Sequence, residues 1–109
     1  MTPIHKRGTR SELIAAAHLI DLGYYVFSPV VHQQGPIDLV AVDEEGKVSL
    51  LDVKTNCERT NTGRNKPHRI YRVKTPLQKV MKVVFAYVSE DNKVHFVPAI
   101  KERDSGEAI

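Results

Sequence analysis

Little in this chain can cross-link it, and nothing in it is built to sit in a bilayer. Cys57 is the single cysteine among 109 residues, so an internal disulfide is excluded and a reducing cytoplasm is the expected compartment. The histidines, His5, His18, His32, His68 and His95, are scattered. With one cysteine among them they build no zinc-binding spacing. No apolar run approaches the roughly 20 residues of a membrane span. The basic residues of positions 1–10 are not followed by the apolar stretch of a signal peptide. Internal repeats and signs of a second domain are absent too. With 41% apolar and 27% charged residues, positions 1–109 read as one globular domain with a frayed polar tail over 101–109.

Acidic residues are scarce where the basic ones gather. The net charge is only +3 and the isoelectric point about 9.1, yet Lys6, Arg7 and Arg10 cluster ahead of the expected first helix. A second set comprises Arg59, Arg64, Lys66, Arg69, Arg72, Lys74, Lys79 and Lys82, with Glu58 the one acid among them. Such segregation makes a positive face of the kind that binds nucleic acid; the alternative is a solvated basic loop.

Hydrophobic spacing predicts a helix over 9–22, with Leu13, Ala16, Ala17 and Ile20 on its inner face and Gly23 as the stop. Strands are expected over 24–28, 37–42 and 48–55, the last two joined by the turn chemistry of Asp43-Glu44-Glu45-Gly46-Lys47. A long polar loop over 56–68 follows, then a short strand over 70–73. A helical turn over 75–81 has Pro76 at its first position. A hairpin pairs 83–88 with 94–97 about Ser89 to Asn92. His18, Tyr24 and Tyr25 read as packing residues.

Charges inside apolar strands need a reason, because burying them unpaired is costly. In Leu50-Leu51-Asp52-Val53-Lys54, strand alternation sends Asp52 and Lys54 to one face, roughly 7 Å apart along the backbone. Ile37-Asp38-Leu39-Val40 carries another lone acid. If the turn pairs Val42 with Val48, Asp38 falls opposite Asp52, about 5 Å away across the ladder. Two carboxylates so placed repel, and a divalent cation between them reverses the sign; magnesium, bound by one or two carboxylates and several waters, suits the site. The plainer reading is a partly buried ion pair of Lys54 with one of the acids. Glu12 has a plain reading as well, since Thr9 and Glu12 match a helix capping box.

Taken in order, Gly8-x-x-Ser11-Glu12, Pro36-Ile37-Asp38 and Asp52-Val53-Lys54 resemble the PD-(D/E)XK nuclease superfamily, and within it the small archaeal-type Holliday junction resolvases and intron-associated endonucleases. The similarity runs from Lys6 to Thr55. Pro36 stands two residues before Asp38 instead of adjoining it, and the longer terminal helical region of the resolvases is missing. The resemblance implies a central mixed β-sheet flanked by helices, an α/β fold with an αβββαβ core. It further implies that Asp38, Asp52 and the Val53 carbonyl ligate magnesium, with manganese substituting. Lys54 then positions the attacking water and Glu12 supports the metal centre from the helix.

The expected function is therefore a magnesium-dependent, structure-selective DNA endonuclease: a homodimeric Holliday junction resolvase acting on four-way junctions, with a phage or mobile element as its setting by analogy. Leu50, Ile70, Val83 and Phe85 are the apolar surplus expected at the dimer contact. The phosphate backbone would be held by Lys6, Arg7, Arg10, Arg59, Arg64, Lys66, Arg69, Arg72 and Lys74. A sequence-specific homing or restriction-type nuclease and a non-catalytic nucleic-acid-binding module are the alternatives.

Overall fold

Alternation of apolar and charged residues along the strands determines which side of the sheet can carry chemistry. The computed structural model of the chain describes residues 3–30, 35–55 and 72–100. Helix α1 (Pro3–Asp21) is followed by strands β1 (Tyr25–Phe27), β2 (Leu39–Val42) and β3 (Val48–Thr55), helix α2 (Pro76–Val80), and strands β4 (Val84–Val88) and β5 (Val94–Val97). The sheet has five strands in the order β1-β2-β3-β4-β5. All neighbours are antiparallel except β3 and β4, which run parallel across the crossover that contains α2. This mixed α/β architecture matches the expected core, with β5 added at its edge.

Helix α1 starts six residues earlier than its apolar spacing suggests, at Pro3, where a missing N–H costs no helical hydrogen bond. Thr9 and Glu12 consequently lie inside the helix and form no capping box at its start, and Lys6, Arg7 and Arg10 ride on its first half. The helix closes as expected: Gly23 has φ +96°, a backbone state glycine adopts without steric cost, and the Tyr24 N–H returns to the Leu19 carbonyl at 3.0 Å.

The inner face of α1 is rotated from the expected one. Ala15 and Leu19 are fully buried and Ser11 nearly so, whereas Leu13 and Ile20 are 66% and 60% exposed. The segment Leu13 to Ile20 is apolar on nearly every side, so its spacing fits two faces equally well, and packing against the sheet selects one. Tyr24 is buried as expected, but Tyr25 is 64% exposed on the edge strand.

Both sheet faces bury side chains. Leu39, Ala41, Leu51, Val84, Ala86, Val88 and Phe96 pack with Ala15, Leu19 and Tyr24 under α1. On the other face Val83, Phe85 and Tyr87 form a smaller cluster with Ile37, Leu50, Met81 and Val97 against it. Val83 and Phe85 are therefore consumed within the chain and are not dimer surface. Among the described strand residues, the exposed apolar side chains on that face are Tyr25, Phe27 and Val48. Residues 72 and 73 are not strand, and the remainder of the expected strand, with the long basic loop and the polar tail, lies outside the described residues.

Candidate functional site

The turn between β2 and β3 sets the register on which the site depends. The Asp43 carboxylate accepts from the N–H groups of Glu45 and Lys47 at 2.9 and 2.8 Å, and Val42 pairs with Val48, Leu39 with Leu51. Continued by one step, that ladder would set Asp38 opposite Asp52. Instead β2 begins at Leu39: the Asp38 N–H donates to the Leu51 carbonyl at 2.7 Å, one residue off register. Its side-chain Oδ2 accepts from the Val53 N–H at 2.8 Å, so a carboxylate takes a strand donor at the point where the ladder stops.

The Asp52 carboxyl group bears directly on that of Asp38. Asp52 is 7% exposed. Burial above all, then the Asp52 hydrogen bond, and further the charges of Asp52 and Glu12, push Asp38 from 3.8 to about 7 against the pull of the Val53 N–H. An acid taken out of water beside a second carboxyl resists ionising, so Asp38 keeps its proton up to about neutrality. Glu12 thus acts on Asp38 electrostatically from α1.

Lys54 completes the group. Its Nζ lies 3.3 Å from Asp52 Oδ2 and 5.4 Å from the centre of the Phe85 ring; parallel pairing of β3 and β4 places Phe85 beside Asp52. The ion pair of the plainer reading is therefore present, alongside the acid pair. A second amine, Lys74 Nζ, stands 5.6 Å from the same ring. The chain entering α2 is tied down by the Arg72 N–H, which donates to the Tyr87 hydroxyl at 2.8 Å. Arg59, Arg64, Lys66 and Arg69 lie outside the described residues.

Sequence reasoning missed Gln78. This α2 side chain is 5% exposed, and its Nε2 donates to Asp52 Oδ2 at 2.7 Å and to the Pro36 carbonyl at 3.1 Å. Its Oε1 accepts from the Thr75 N–H at 3.0 Å while the Thr75 hydroxyl accepts from the Gln78 N–H at 3.2 Å. A signal was available: Thr75-Pro76-Leu77-Gln78 is a capping box with proline at the first helical position. Capping fixes the backbone of Gln78, and the fixed backbone aims its amide at Asp52 and at the segment that carries Asp38.

Among the described residues, no three His, Cys, Asp or Glu side chains gather as a metal-binding group. The donor set is the acid pair. Two carboxylates brought together fit magnesium, which retains several waters and needs no third side chain from the protein.

No protein-family model matches the chain, and no curated protein matches it. Among solved structures it is similar to a bacterial homing endonuclease, I-Ssp6803I, at 19% identity with a TM-score of 0.59, over 87% of this chain and 68% of that one. The chain shares the α/β fold of that structure.

Proposed function

We propose that the chain is a magnesium-dependent DNA endonuclease of the PD-(D/E)XK type. The observation that carries this reading is the meeting of Asp38 with Asp52 while the Lys54 amine stands 3.3 Å from Asp52. Hydrolysis of a phosphodiester adds water across the P–O bond, leaving a phosphate monoester and a hydroxyl. The reaction needs an activated water and relief of charge on the phosphoryl oxygens. Asp38 and Asp52 would hold a divalent ion, and that ion would supply both when bound.

The protein's own groups do the rest. Asp38 and Asp52 would hold the cation, and the Val53 carbonyl would be a further ligand. Gln78 fixes the rotamer of Asp52. Lys54, held by Asp52 and the Phe85 ring, presents an ammonium that orients the attacking water or meets developing negative charge. Glu12 adds negative field from α1. Lys74 gives the substrate backbone a second cation on the same ring, and the basic side chains of α1 and the 56–71 segment contact phosphates.

Sequence reasoning favours a homodimeric Holliday junction resolvase, since two symmetric cuts need two sites. The exposed Tyr25, Phe27 and Val48 support a contact between copies. The fold shared with a homing endonuclease supports a second reading, a sequence-specific cut in linear duplex.

The test is cleavage of a labelled four-way junction beside a pool of linear duplexes, with magnesium, manganese or chelator. Metal-dependent cuts that vanish in Asp38→Asn, with DNA affinity retained, support the nuclease. Symmetric nicks at the junction select the resolvase and a unique duplex site the homing type. Intact substrates in every lane, with DNA bound, leave a binding module.

A further inference from the structure

A second polar site lies on the α1 side of the sheet, opposite the face that carries the acid pair. Arg7, Arg10 and Ser11 from the helix, Thr55 from the end of β3, and Ser89 and Glu90 after β4 line a depression of about 230 Å³. Its floor is built: Ser11, only 4% exposed, shares a 2.8 Å hydrogen bond between its hydroxyl and that of Thr55. Its rim is oriented, because Arg10 Nη2 donates to Asn92 Oδ1 at 2.9 Å and is held across the depression toward the β4–β5 turn. Two guanidinium groups over a floor of hydroxyls offer the planar donor forks that suit phosphate oxygens.

Consecutive residues tie this depression to the acid pair. Thr55 follows Lys54 on β3, and Ser11 precedes Glu12 on α1. Strand alternation sends Lys54 to the face of the acid pair and Thr55 to the opposite face, where it lines the depression. We propose that the depression binds one backbone phosphodiester of the DNA, separately from the acid pair on the other face of the sheet; the assignment rests on the nuclease reading above.

Glu90 specifies the charge of the ligand. A carboxylate on the rim opposes a dianionic phosphate monoester more than a singly charged diester, since repulsion scales with charge. Free phosphate and terminal monoesters are thereby disfavoured relative to the interior of a strand.

The test reads affinity for a fluorescent duplex in chelator, so that binding is measured without cleavage. Arg7→Ala and Arg10→Ala are each expected to weaken binding about tenfold and to lower the salt slope by about 1. Glu90→Gln is expected to tighten binding about threefold. Asn92→Ala, which keeps the Arg10 charge, stays within about twofold of wild type. Replacing single phosphates by neutral methylphosphonates should reveal one position whose penalty disappears in Arg10→Ala. Inorganic phosphate should compete only weakly.

The inference is overturned by unchanged affinity in both arginine variants, by weaker or equal binding in Glu90→Gln, by Asn92→Ala matching Arg10→Ala, or by tight competition from inorganic phosphate. Cleavage in magnesium is scored separately. Variants that bind as wild type in a protein that cuts DNA sink the phosphate site alone. Variants that behave as expected in a protein that cuts nothing sink the nuclease alone.

Discussion

Strand β3 serves two faces of one sheet with opposite chemistry. Leu51 and Val53 face α1 among aliphatic neighbours and close the larger core. Asp52 and Lys54, one residue out of phase, face away from α1 toward Phe85 and Tyr87. The two faces are buried to comparable depth, since Leu51 is 0% and Asp52 7% exposed, yet they tolerate burial for different reasons. The first excludes water by packing; the second survives because Gln78, Lys54 and the Val53 N–H satisfy carboxylates that would otherwise be stranded. A face left clear by the main helix can hold charge, provided a second element supplies donors. Here α2 does so with one side chain.

Substitutions on the two faces should separate function from stability. The largest effect is expected on the charged face: Asp38→Asn should lower the cleavage rate by about a thousandfold or more, equivalent to about 4 kcal/mol of barrier, with DNA binding retained in a filter or anisotropy assay. Retained cleavage in that variant would remove the acid pair from the chemistry.

Next in size is the dry face. Leu51→Ala should cost about 3 kcal/mol in chemical denaturation, because its side chain is wholly buried and its removal leaves a cavity. Lys54→Met, at a side chain 35% exposed, should change stability by less than about 1 kcal/mol while cleavage falls about a hundredfold. Equal stability losses at both positions would erase the contrast between the faces.

Gln78→Leu sharpens the role of α2. It removes the donor to Asp52 and Pro36 and half of the capping box, and should lower stability by about 2 kcal/mol. Gln78→Glu, which retains the capping acceptor but turns a donor into an acid beside Asp52, should lose cleavage as well. A stable and active Gln78→Leu protein would show that Asp52 holds its rotamer unaided.

The smallest effect is one of pH. Asp38 has its native pKa raised to about 7, so between 3.8 and about 7 the folded chain binds more protons than the unfolded one. Stability therefore falls as pH rises through that window and levels above it. Asp38→Asn is free of this penalty while keeping an acceptor for the Val53 N–H. In chelator it should gain about 1 kcal/mol over wild type above pH 7 and little near pH 4, read as a melting-temperature difference that grows with pH. A difference constant from pH 4 to 8 would place the strain elsewhere. Magnesium should stabilise wild type most at the upper end of that range and leave Asp38→Asn unmoved.

Two threonine-x-x-acid/amide patterns show why part of the site was legible and part was not. Thr9 and Glu12 have the composition of a capping box and lie within a helix that starts at Pro3. Thr75 and Gln78 form a real box, marked by Pro76 immediately after the cap. Local pattern identifies candidates, but the start of a helix depends on how far tertiary contact extends it. The same limit applies to the α1 face: Leu13 and Ile20 are as apolar as Leu19, and only the sheet decides which is covered.

Sequence by itself located the five strands that form, the turn that pairs Val42 with Val48, and the placing of Asp52 and Lys54 on one side of β3. Period-two alternation and turn chemistry are local properties, set by covalent geometry. Only the tertiary structure decided that β2 stops one residue short so that Asp38 reaches the Val53 N–H, that Gln78 arrives from 26 residues along the chain to hold Asp52, and that Arg10 crosses to Asn92. Those contacts join segments distant in sequence, and the chain makes them because carboxylates, amides and guanidinium groups brought together by packing must find partners once water is displaced.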